Sequence, residues 1–93
     1  MNPSSPINLA ELQPEYIRIV VISIGSISTV HYLLKTTTPM KLMKDRFAIA
    51  CGMQANHIRF LYEERRLDDD DTAESLDMED EDVILAYWDQ MGG

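Results

Sequence analysis

The groups in this chain that could do covalent chemistry are few and scattered. One cysteine (Cys51), two histidines (His31 and His57) and sixteen carboxylates are the available parts. A hydrolytic site needs a nucleophile, a base and a group that orients the base, all within reach of one another. Cys51 closes a helical pattern, where the negative end of the helix dipole raises a thiol pKa instead of lowering it. His31 falls inside a strand pattern and His57 in a loop, so both read as surface histidines. Zinc ligation by Cys51, His31 and His57 lacks any close-spaced ligand pair. No glycine-rich turn precedes a helix, which removes the usual phosphate cradle. A calcium loop starting at Asp68 would place Asp70, Thr72, Glu74 and Glu79 at ligand positions. However, Ala73 stands where the sharp turn demands glycine, and no amphipathic helices flank the segment. The residues predict neither an enzyme nor a metal or cofactor site.

Those side chains hang on a small set of elements. Ninety-three residues suffice for one core, and Leu, Ile, Val and Phe supply 24 of them, too many for a disordered chain. Residues 1–15 carry Pro3, Pro6 and Pro14, lack a sustained period and read as a flexible tail. Tyr16 to Ile22 is a β-branched strand run, Ser23 to Ser28 a turn built around Gly25, and Thr29 to Lys35 the returning strand. Thr38-Pro39 predicts a helix start, with the Thr38 hydroxyl as cap and proline at the first helical position. Met40, Met43, Phe47 and Ala50 recur at helical spacing, and Gly52 stands where a left-handed residue ends a helix. Short strands follow at Ile58 to Tyr62 and Arg66-Leu67, a turn at Leu76-Asp77-Met78, and a last strand at Val83 to Tyr87. The order β-β-α-β-β-β predicts an α+β layer pair, a mixed sheet packed on one helix with the first and last strands side by side, as in a β-grasp.

Charge narrows the partners. The formal net charge is −8. This argues against direct binding of nucleic acid, which needs a basic stripe to displace counterions, and against an anionic membrane surface. A single cysteine and the lack of a signal-peptide pattern predict a soluble chain of a reducing compartment. Ten of the sixteen acids fall between Asp68 and Asp82, with no Lys or Arg among them. That density either only solvates the surface or steers a basic partner.

Several segments together resemble small ubiquitin-like modifier (SUMO) proteins. They are Tyr16-Ile17-Arg18-Ile19, Lys35 to Met40, Ile58-Arg59-Phe60-Leu61-Tyr62-Glu63, the acidic run Leu76 to Ile84, and Gln90-Met91-Gly92-Gly93. The match in order and spacing covers Tyr16 to Gly93. The resemblance implies a β-grasp domain over residues 16–89 and a flexible conjugation tail at 90–93. It implies that an activating enzyme adenylates the Gly93 carboxylate, passes it to a conjugating enzyme, and that it is then joined to target-protein lysines. Ligases, SUMO-specific proteases and a location in nucleus and cytoplasm follow from the same likeness. Gly92 and Gly93 lack Cβ atoms, so such a tail can thread a narrow channel to a crowded site. A terminal Gly-Gly is also a common linker remnant, but the spacing matches the family.

Two non-covalent sites are implied by position. A groove for short hydrophobic SUMO-interacting peptides would use Tyr32, Leu34 and Met43 as its floor, beside Leu33 and Leu42, with Lys35 and Arg46 meeting acidic peptide flanks. Periodicity alone reads Leu34 and Met43 as core. Docking of the conjugating enzyme would use Glu63, Glu79 and Asp82. The chain also departs from the family: Leu33 and Leu42 replace usual lysines, Val20 and Leu85 replace usual charges, and Glu64 stands for a usual glycine. Strand alternation puts Arg18, Val20 and Ile22 on one face and Val83, Leu85 and Tyr87 likewise, predicting an outward apolar patch with Leu33 and Trp88. Leu42 and Ile49 add a second apolar stripe to the helix. These changes keep a competing reading open, a natural or engineered SUMO-like binding module that is not conjugated.

Overall fold

Alternating apolar residues through Tyr16–Ser23 and Ser28–Lys35 form two antiparallel strands, β1 and β2. A computed structural model of the chain describes residues 15–25 and 28–88. The helix α1 spans Met40–Cys51, a 3-10 turn Ala55–His57, and strands β3, β4 and β5 span Arg59–Tyr62, Arg65–Arg66 and Asp82–Tyr87. They assemble into one mixed sheet of order β2-β1-β5-β3-β4, in which β5 runs parallel to β1 and antiparallel to β3. The first and last strands are therefore central neighbours, and β2 and β4 are edges.

The period-2 pattern decides which side chains meet the helix. Ile19 and Val21 of β1, Ile84 and Ala86 of β5, Phe60 and Tyr62 of β3 and Leu34 of β2 turn inward and are buried. Met40, Met43 and Phe47 answer from α1, each with no exposed surface. Phe47 meets Phe60 edge to face at 5.7 Å between ring centroids, a favoured aromatic geometry.

The helix ends as the sequence predicts. Gly52 adopts φ 71° and ψ 31°, and the Met53 N–H donates to the Ala48 carbonyl at 2.9 Å. Its start differs. The helix begins after Pro39, which is the extended capping residue, and no side chain caps it. The expected Thr38 hydroxyl cap is replaced by backbone from a distant loop. The Met40 and Lys41 N–H groups donate to the carbonyls of Asp71 and Asp69 at 2.7 and 3.0 Å. The Asp68–Asp71 segment thus satisfies orphan donors of the helix and brings negative charge to the positive end of its dipole.

Alternation also revises the outer apolar patch. Val20, Ile22, Val83, Leu85 and Tyr87 do share the outward face. Trp88 instead packs against the core cluster, because it follows outward Tyr87. Leu33 stands opposite Arg18 in the ladder, not opposite an apolar partner.

The two-residue turn between β3 and β4 has positive φ at both positions, 52° at Glu63 and 66° at Glu64. This is the backbone of a type I′ hairpin, which glycine enters without strain and a side chain does not. Glu64→Gly is expected to stabilise the fold by about 1 kcal/mol. A urea midpoint that rises at unchanged slope checks this; an unchanged or lower midpoint contradicts it.

Candidate functional site

Three surfaces follow from this arrangement. The first lies between α1 and the edge strand β2. Among the described residues β2 pairs on one side only, so its other row of N–H and C=O groups faces no further strand there. Tyr32 is half-buried and packs against the core. Burial pushes its phenol above the ordinary value, Cys51 adds to the rise, and the guanidinium of Arg46 opposes it.

Leu34 keeps 7% of its surface and Met43 none, so these two, expected as the floor of a peptide groove, are core residues. Leu33 at 65% and Leu42 at 43% are the apolar groups this region offers to solvent, with Ile49 at 78% further along the helix. Lys35 and Arg46 are exposed. Strand alternation turns Lys35 and Leu33 to the face opposite Tyr32 and Leu34.

The second surface gathers Glu63, Glu79 and Asp82 around one phenol. The Tyr62 hydroxyl donates to the Asp82 carboxylate at 2.6 Å, and the same carboxylate oxygen accepts the Glu79 N–H at 2.8 Å. Burial raises the Tyr62 pKa most, then the bond to Asp82, with the charges of Asp82, Glu63 and Glu79 adding to the rise. Glu63 and Glu79 are exposed, whereas Asp82 is half-buried and holds the cluster together. Arg18 stitches the neighbouring loop to β1. Its N–H donates to Asp80 at 2.7 Å, its carbonyl accepts from Glu81 at 2.6 Å, and its side chain pairs with Glu81 at 3.1 Å.

Tyr62 is the residue sequence reasoning left without a role. The signal was present, since alternation from Phe60 turns Tyr62 inward, and a buried phenol requires a hydrogen-bond partner.

The third surface is the outer face of the sheet. Glycines Gly92 and Gly93, the tail 90–93 that carries them, and residues 1–14 lie outside the described residues. Of the groups first considered for chemistry, His31 and His57 are both exposed. Cys51 is half-buried, and burial pushes its thiol pKa up, away from the reactive thiolate. Among the described residues no group of three or more His, Cys, Asp and Glu is arranged to hold a metal.

Comparison with known proteins matches this geometry. The family model "Ubiquitin-2 like Rad60 SUMO-like" matches residues 17–87. A small ubiquitin-related modifier of Caenorhabditis elegans is 44% identical over 79 residues, covering 85% of this chain and 86% of that protein. The solved structure of a Caldiarchaeum subterraneum ubiquitin superposes with a TM-score of 0.76 at 20% identity, covering 85% of this chain and 100% of its own, which speaks for the β-grasp fold alone. The chain belongs to the SUMO-like family of ubiquitin-like proteins, and is thus a protein modifier and not an enzyme.

Proposed function

We propose that this protein is attached through the carboxylate of Gly93 to lysines of target proteins, and that its folded body supplies recognition only. The observation that carries this reading is the Gly92-Gly93 pair, at the spacing of the family, in a chain of the SUMO-like family. An activating enzyme adenylates the carboxylate, a conjugating enzyme receives it as a thioester, and ligases and SUMO-specific proteases govern attachment and release. Glu63, Glu79 and Asp82 form the docking patch for the conjugating enzyme, whose contacting surface is basic. Short hydrophobic peptides add a strand along β2, a β-augmentation contact that takes its affinity from main-chain hydrogen bonds. The protein acts in nucleus and cytoplasm.

One observation favours a second reading, a binding module that is not conjugated. The apolar outer face around Val20 and Leu85 is unlike a surface built only for the conjugation machinery. A single incubation separates the two. With SUMO-activating enzyme, ATP and magnesium, the chain is expected to form an adduct on a non-reducing gel that thiol reductant removes, and a variant lacking Gly93 is expected to form none. Failure of the intact chain to form that adduct supports the binding module.

The peptide groove has its own electrostatic consequence. Leu42 offers apolar area in place of a mobile cation, at about 25 cal/mol per Å² buried, while Leu33 turns to the opposite face of β2. Ion pairing with acidic peptide flanks then rests on Lys35 and Arg46, and exposed pairs weaken with salt. Affinity for a hydrophobic-acidic peptide is expected to fall less than threefold between 50 and 300 mM salt, roughly what loss of one exposed ion pair allows. A tenfold or steeper fall contradicts this account of the groove.

A further inference from the structure

No outward-facing position of the five strands carries a carboxylate, although the chain has sixteen. The face is instead apolar with a basic border. The registers align one lateral row across every strand: Thr29 opposite Ile22, Ile22 beside Leu85, Leu85 opposite Leu61, and Leu61 opposite Arg66. Val20 and Val83 form the next row, paired directly, with Val83 41% exposed. Neighbouring strands lie about 4.8 Å apart, so Ile22, Leu85 and Leu61 span roughly 10 Å, the width of one helix. Arg59 and Arg66 flank Leu61, both exposed, and neither forms an ion pair among the described residues. Arg18, at the far end, is answered by Glu81.

We propose that this outer face docks an acidic amphipathic helix of a partner protein, its apolar stripe over Ile22, Leu85 and Leu61 and its carboxylates toward Arg59 and Arg66. Charge decides the occupant. A second copy placed face to face would bring the two arginine borders into one apolar interface, and the carboxylate at its edge, Glu81, is already paired with Arg18. A basic partner would meet Arg59 and Arg66, and a nucleic acid would leave the apolar row uncovered. The surface lies on the side of the sheet away from α1 and does not depend on Gly93, so it stands apart from the conjugation reading.

The test uses the full chain and a fluorescein-labelled 18-residue helical peptide with a leucine stripe bordered by glutamates. A control peptide keeps the glutamates and carries glutamine at the leucine positions. Anisotropy titration is expected to show saturable binding of the leucine peptide and at least tenfold weaker binding of the control. Leu85→Glu is expected to weaken the leucine peptide at least tenfold. The exposed double variant Arg59→Glu with Arg66→Glu does the same without touching the apolar row, and it serves as the deciding variant if Leu85→Glu fails to give a native circular-dichroism melt. Absence of leucine-peptide binding overturns the proposal, as does equal binding of the two peptides or full binding by the double variant. Sedimentation of the chain alone as a dimer that Leu85→Glu dissociates also overturns it, because the face would then belong to a second copy.

Discussion

Everything in this molecule depends on one helix covering the inner face of one sheet. Twelve residues of α1 supply Met40, Met43 and Phe47 to a core whose other wall is Ile19, Val21, Phe60 and Ile84. Burying each such side chain contributes about 1.5–3 kcal/mol, and a small domain has few to spend. The position of the helix is therefore held at both ends by backbone. Gly52 closes the C-terminus in the left-handed conformation, and the Asp69 and Asp71 carbonyls receive the first N–H groups. The acidic loop is part of this clamp before it is anything to a partner.

From that packing the surfaces follow as leftovers with different chemistry. The helix reaches only one side of the sheet, so β2 keeps an open edge and the outer face keeps its alternate side chains. The carboxylates collect at the entry to β5, where Tyr62 anchors Asp82 and Arg18 holds Asp80 and Glu81. The result is an acidic patch, an open strand edge and a largely apolar sheet face on a single small body. On the proposed reading these surfaces are what partners recognise, while other proteins carry out the chemistry.

Much of the fold was legible in the residues. β-branched alternation locates β1, β2 and β5, and the Met40-Met43-Phe47 spacing with Gly52 bounds most of the helix. The same alternation places Val20, Ile22 and Leu85 on the outer face. What failed was non-local. Thr38-Pro39 is a sound local start signal, yet the capping partners come from carbonyls that only the folded loop brings near. Trp88 reads as an extension of the patch until the strand's parity turns it to the core. The groove was less legible than the fold. Periodicity assigns Leu34 and Met43 to the core, and burial agrees, so their place beneath a peptide groove came from family resemblance and not from physics. The Tyr62–Asp82 bond lay between the two cases, since it needed only the question of where a buried phenol sends its proton.

On the proposed reading, one core presents separate recognition surfaces for the peptide and the conjugating enzyme. Backbone amide chemical-shift mapping measures this directly, with a hydrophobic SUMO-interacting peptide added first and the conjugating enzyme second. The account predicts that the peptide perturbs amides of β2 and α1 around Tyr32, Leu33 and Arg46, that the enzyme perturbs those around Glu63, Glu79 and Asp82, and that neither displaces the other. Overlapping sets of shifted amides, or release of the peptide when the enzyme binds, would contradict it.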